Sequence, residues 1–293
     1  MTTITVPTPT NPAKRPSTPL RLLLRMLLLL AFVYVAWCVA LSFKQTDLLF
    51  PRSFANTLPQ LPAPPAGTDS WWRQDGETKI EAWFMLGDGR SADSPGPAVI
   101  LLHGNGETID NWVGIAHEYT ERGISVLLPE YRGYGRSTGT PSERAILGDV
   151  LAFHTRLIEQ SSVRSEQVFY HGRSLGGGVA MQLAKERQPA ALILDCTFTS
   201  VASFASQYYV PAFIVRDPFR SDAVIAGLAC PILISHGKDD DIIPYSHADK
   251  LASLAKQATL LQLPGGHLDF PADADLYNAE RWKFLKRVGL ITN

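Results

Sequence analysis

The stretch "VFYHGRSLGGGVA", residues 168–180, sets Ser174 between Gly172 and Gly176 in the pattern G-x-S-x-G. A serine hydroxyl attacks a carbonyl only if a base takes its proton as the bond forms, and that base needs an acid to orient it. A nucleophile on a sharp strand-to-helix turn also needs small neighbours, because the chain is crowded there. A five-residue match alone equally describes a glycine turn opening a helix. Here the apolar run of Val168, Phe169 and Tyr170 precedes it as a strand, and "LGGGVAMQLAKE" follows as a helix, which favours Ser174 as nucleophile. Around such a turn the partners follow in the order serine, Asp or Glu, histidine. His267, in "GGHLDF", lies in a glycine-containing loop after the last expected strand and is the candidate base. His103, His171 and His236 close strands, His117 and His154 fall in helices, and His247 starts one, so none has the required position. For the acid, "SHGKDDDIIP" offers Asp239, Asp240 and Asp241, with Asp195 as a weaker fourth candidate; spacing does not choose among them.

The elements that must position these residues alternate between short β-branched runs and longer amphipathic stretches, as in a parallel sheet covered by helices. Strands are expected at 71–74, 80–85, 98–102, 125–128, 167–170, 191–194, 232–235 and 259–263. Helices are expected near 108–122, 142–160, 175–187, 247–256 and 274–287. Several strands run into "LLHGNGE", "LPEYRGYG", "YHGRSLGG", "LDCTF" or "SHGKDDD", which would crowd the carboxyl edge where open α/β sheets bind ligands. Cys196 follows one strand and Cys230 precedes the next, so a disulfide between them is not expected.

The 293 residues are 45% hydrophobic and 19% charged, enough for one large domain plus an apolar segment. Between Arg25 and Lys44 lie eighteen uncharged residues, "MLLLLAFVYVAWCVALSF", which as a helix would span about 27 Å, close to a bilayer core. The expected organisation is a basic cytoplasmic tail at 1–25, a transmembrane helix at 26–43, a linker at 44–69 and a folded domain at 70–293. Lys14, Arg15, Arg21 and Arg25 precede the apolar run, so the positive-inside bias puts the amino terminus in the cytoplasm and the domain outside it, in the periplasm if the chain is bacterial. A cleaved signal peptide is the alternative, disfavoured by the length of the apolar run. Without those four residues, 23 basic side chains face 28 acidic ones, a balance that argues against a nucleic-acid partner. Oligomeric state is not readable.

HGNG, YRGYG, GRSLGG, HGxxDxxIP and GGH, in this order, resemble the α/β-hydrolase superfamily, and more narrowly its membrane-anchored serine hydrolases of the depalmitoylase-like kind, from about Phe50 onward. The resemblance implies an eight-stranded, mostly parallel sheet with helices on both faces and a small cap. It assigns the acid to Asp240. It gives the "HGNGE" loop a role in an oxyanion hole made by the backbone N–H groups of Asn105 and Leu175, with Gly106 the nearby alternative to Asn105. A phosphate-binding role for that loop is poor, since Ile109 stands where a third glycine is needed.

The insertion at 197–229 would be the cap, and its Phe198, Phe204, Tyr208, Tyr209, Phe213 and Phe219 would either line an acyl pocket or pack the cap itself. Arg132 and Arg136 would bind a carboxylate or brace the scaffold. The expected activity is hydrolysis of esters or thioesters through an acyl-enzyme, with a small or acylated substrate and no metal or organic cofactor. A serine aminopeptidase-like peptidase and a non-catalytic, membrane-tethered binding module are the alternatives.

Overall fold

A computed structural model describes residues 18–55 and 61–291. The tail before residue 18 and residues 56–60 of the expected linker lie outside them. In chain order the elements are α1 (Thr18–Leu49), α2 (Arg52–Ala55), β1 (Thr68–Asp75), β2 (Thr78–Met85), β3 (Gly96–Leu102), α3 (Val113–Thr120), β4 (Ser125–Pro129), α4 (Glu143–Ile158), β5 (Val163–Arg173), α5 (Leu175–Glu186), β6 (Leu192–Asp195), α6 (Ser221–Ile225), β7 (Ile232–Gly237), α7 (Ser246–Leu254), β8 (Ala258–Leu263) and α8 (Ala274–Arg287). A 3-10 turn at Ile109–Trp112 leads into α3, and two more, Val201–Tyr208 and Ala212–Ile214, precede α6.

The eight strands form one sheet in the order β1-β2-β4-β3-β5-β6-β7-β8. β2 runs antiparallel to both β1 and β4, and from β4 to β8 all pairs are parallel. The parallel strands are buried throughout β3, β4, β6 and β7, the continuous apolar reading expected of strands covered on both faces. One core layer gathers Val179, Leu183, Phe153, Ile146 and Leu251 from α5, α4 and α7; the other gathers Ala116 and Tyr119 from α3 with Phe284 and Leu285 from α8. The sheet is therefore coated by helices on both faces, and the chain has the α/β-hydrolase architecture.

The chain divides into two compact units, Met1–Lys44 and Gln45–Asn293. The helix that carries the apolar stretch runs beyond the expected 26–43, from Pro19 into the start of the second unit at Leu49, and its apolar window is only 6% buried, unlike a core helix. A membrane anchor and a signal sequence share that design. The second unit begins earlier than the expected Ser70. Gln45 donates from Nε2 to the Ile214 carbonyl at 3.0 Å and accepts from the Arg216 N–H at 2.9 Å. Phe50 is fully buried in the main core and packs edge-on to Phe219 at 6.4 Å. Residues 45–50 are thus part of the folded body, because an unexpected amide clamp and an aromatic anchor hold them there.

Candidate active site

β3 and β5 are neighbours, with Leu102 opposite Gly172, so the "HGNGE" loop and the Ser174 turn leave the sheet side by side. β6, β7 and β8 follow in parallel, so the segments after Asp195, Gly237 and Leu263 open on the same edge. Ser174 sits between β5 and α5 with φ 52° and ψ −117°. Such a conformation costs a non-glycine residue about 1–3 kcal/mol and is kept only if its surroundings dictate it. They do. The Ser174 N–H donates to the Asp195 carbonyl at 2.8 Å, and its carbonyl accepts from Thr197 Oγ1 at 2.8 Å and from the Gly177 N–H at 3.0 Å. A Cβ on Gly172 would run into the Gly176 carbonyl, and one on Gly176 into the carbonyl oxygens of Leu102 and His103. The two glycines let α5 start against the end of β3.

His267 approaches from the loop after β8. Its Nε2 stands 3.1 Å from Ser174 Oγ, and its Nδ1 stands 2.7 Å from Asp240 Oδ2. A carboxylate only accepts, so Nδ1 carries the proton and Nε2 presents its lone pair to the serine hydroxyl. All three residues are buried: Ser174 is 8% exposed, Asp240 6% and His267 9%. Asp240 Oδ1 accepts the N–H groups of Ile242 at 3.0 Å and Ile243 at 2.7 Å. Burial opposes charge on this carboxyl, but hydrogen bonds from His236, His267 and the Ile243 N–H outweigh it and hold its pKa well below the usual carboxylate range.

The competing aspartates part company here. Asp239 and Asp241 are exposed. Asp195 is turned away into a separate buried network, bonded to His171 Nε2 at 2.7 Å and to the Tyr277 hydroxyl. His236, which reads in the sequence as a strand-closing histidine, stands behind the acid: its Nε2 lies 2.7 Å from the Ile243 carbonyl and 3.3 Å from Asp240 Oδ2. Its place four residues before Asp240 was the available signal, but only the turn geometry brings the two together.

Leu175 opens α5, so its N–H is one of the first-turn donors without a carbonyl partner inside the helix. Asn105 is exposed on the loop after β3, and its Oδ1 accepts the Tyr134 hydroxyl at 3.0 Å. Under that loop lies a fully buried ion pair. His103 Nε2 stands 2.9 Å from Glu130 Oε1 while its Nδ1 faces the Gly104 carbonyl at 3.0 Å. Both nitrogens face acceptors, an arrangement that favours the protonated ring. Burial disfavours that charge, yet Glu130 and the two hydrogen bonds lift the pKa above the ordinary imidazole value. Glu130 also accepts the N–H groups of Tyr131 and Ile109, tying β4 to the entrance of α3.

Cys196, at φ 45°, is buried beside the site, and its sulfur lies within 4.8 Å of donor atoms of Asp240 and His267. Burial pushes its thiol far above the ordinary range. The three atoms form the one His/Cys/Asp/Glu group among the described residues close enough to share a metal ion. Arg132 braces Asp149 and Asp75, and Arg136 braces Glu81 and Asp110, so both arginines pair with the scaffold. The cap aromatics divide. Phe198 and Phe219 are buried in the core and Phe204 stacks on His247 at 5.1 Å, whereas Tyr208, Tyr209 and Phe213 are exposed.

Residues 93–216 match the family model described as serine aminopeptidase, S33. The chain is 30% identical over 235 residues to the uncharacterized protein YfhR of Escherichia coli K12, covering 75% of this chain and 82% of the relative. It is 32% identical over 220 residues to the lysophosphatidylserine lipase ABHD12 of Danio rerio, covering 67% of this chain and 55% of that protein. Among solved structures, Est1E from Butyrivibrio proteoclasticus aligns with TM-score 0.64 at 18% identity, over 75% of this chain and 98% of its own. Thermogutta terrifontis esterase 2, phosphoramylated by tabun, aligns with TM-score 0.65 at 17% identity, over 80% of this chain and 99% of its own. Fold, motif order and relatives agree on a class, the hydrolases built on a mostly parallel sheet with a strand-to-helix elbow. The chain belongs to the α/β-hydrolase superfamily.

Proposed function

We propose that the chain is a serine hydrolase that cleaves carboxylic esters or thioesters with Ser174 as nucleophile, His267 as base and Asp240 as the orienting acid. The observation that carries this reading is the continuous relay from Ser174 Oγ to His267 Nε2, at 3.1 Å, and from His267 Nδ1 to Asp240, at 2.7 Å, on a serine held at φ 52°. In the proposed reaction His267 Nε2 takes the hydroxyl proton as Oγ attacks the acyl carbon, and Asp240 stabilises the imidazolium. The oxyanion of the tetrahedral intermediate is received by the N–H groups of Leu175 and Asn105, each worth about 3 kcal/mol in such a site. His267 then returns the proton to the leaving alcohol or thiol. Water, deprotonated by the same nitrogen, releases the acid from Ser174. These steps need no metal or organic cofactor.

Anchorage of the domain by the amino-terminal helix, with the tail in the cytoplasm and the domain outside it, would place the site near acylated or lipid substrates. A relative known as a lysophosphatidylserine lipase supports an ester of that kind. A peptidase is the second reading, supported by the family model's description as a serine aminopeptidase, since the same acyl transfer cleaves amides. Turnover of matched acyl esters, thioesters and aminoacyl amides by the purified protein separates them: faster ester or thioester cleavage is expected, and a preference for the amides would favour the peptidase. Protease accessibility in intact cells tests the topology, and a domain shielded with the cytoplasm would contradict it.

A further inference from the structure

Arg173 fills the variable position just before Ser174, and its side chain turns toward two other parts of the site. Its Nη2 donates to the backbone carbonyl of His267 at 2.7 Å. Its Nη1 stands 3.6 Å from Glu107 Oε1. Glu107 belongs to the "HGNGE" loop, and its Oε2 accepts the Gly104 N–H at 2.6 Å and the Trp112 indole N–H at 3.0 Å. A single guanidinium thus joins the backbone carrying the imidazole to the loop carrying Asn105, from the residue beside the serine.

The loop is anchored three residues on, where buried Phe270 packs edge-on to Tyr277 at 5.5 Å. Beside the imidazole, however, Leu268 is 84% exposed, so next to His267 the Arg173 hydrogen bond does the holding. The hydrogen bond from Arg173 is charge-assisted, about twice as strong as a neutral one, and the guanidinium is only 20% exposed. A lysine is a point charge without the planar fork, and it would not hold both partners in register.

We propose that Arg173 and Glu107 form a strut that sets the position of His267 and of the oxyanion loop relative to Ser174, making Arg173 a positioning residue for acyl transfer. The inference rests on the reading of Ser174 and His267 given above. A displacement of about 1 Å at a reacting group can cost on the order of 100-fold in rate. An arginine that positions, and does not bind substrate, moves kcat and leaves KM alone.

The test uses the full-length protein in detergent, a short-chain p-nitrophenyl ester and a fluorophosphonate probe, with Arg173→Ala, Arg173→Lys, Glu107→Gln and Ser174→Ala variants. Arg173→Ala is expected to lower kcat and the labelling rate about 10- to 100-fold with KM within about twofold, and added guanidinium to restore part of the loss. Arg173→Lys should recover only part of kcat, and adding Glu107→Gln to Arg173→Ala should cost little more, since the two act as a unit. An unchanged kcat in Arg173→Ala and Arg173→Lys, a KM that rises as kcat falls, or fully additive losses would overturn the strut. Arg173→Lys and Glu107→Gln carry the comparison if Arg173→Ala does not fold. Undiminished labelling of Ser174→Ala would instead overturn the nucleophile itself.

Discussion

Asp240 bears most directly on how the proposed relay is tuned. Its carboxyl is held charged by hydrogen bonds from His236, His267 and the Ile243 N–H against the cost of burial, so it remains an anion that fixes His267 in the tautomer with Nδ1 protonated. Asp240→Asn should preserve the packing while removing that preference, and we expect kcat to fall about 10⁴-fold, measured on a soluble ester. The same depressed pKa contributes stability that is present above about pH 3.9 and is lost as pH falls toward the folded value. The acid limb of the thermal-stability profile should therefore be shallower in Asp240→Asn than in wild type. Ser174 and His267 were legible because their chemistry demands an order and a glycine turn that the chain displays. Asp240 needed the resemblance to be chosen over Asp239 and Asp241. His236 stands four residues before Asp240 and Arg173 beside the serine, but their contacts depend on how loops fold back, and spacing alone does not make them legible.

The elements position these residues through close approach and buried charge. Gly176 lies where α5 meets β3, and a methyl group there collides with two backbone carbonyl oxygens that cannot swing aside. Gly176→Ala is expected to cost about 1–3 kcal/mol in urea unfolding, or more, and to slow probe labelling. The His103–Glu130 pair braces the loop after β3. Its raised histidine pKa contributes stability that is complete below about pH 6.5 and declines as pH rises through the folded value. Glu130→Gln should be destabilised most at mildly acid pH, flattening the fall of the melting temperature as pH rises above about 6.5. Strand positions were readable from apolar runs bounded by turns. β5 extends beyond its expected 167–170 in both directions, to Val163–Arg173, because pairing with β3 continues past the apolar residues. The 3-10 turns and α6 of the cap are too short to show a helical period in the sequence.

At the scale of the whole molecule, the apolar helix is unmistakable in the sequence, but the point where the folded body begins is not. Phe50 falls inside the expected linker at 44–69, yet it is fully buried against the core. Phe50→Ala should therefore cost about 3–5 kcal/mol. Truncation before Gln45 should leave the melting temperature of the domain near that of the full chain, while truncation before residue 70 should lower it markedly. The account as a whole turns on Ser174. Treatment of the intact protein with a fluorophosphonate, followed by peptide mass analysis, should find the adduct on Ser174 and none in Ser174→Ala, with labelling slowed in His267→Gln. An adduct on another residue, or equal labelling of wild type and Ser174→Ala, would contradict it.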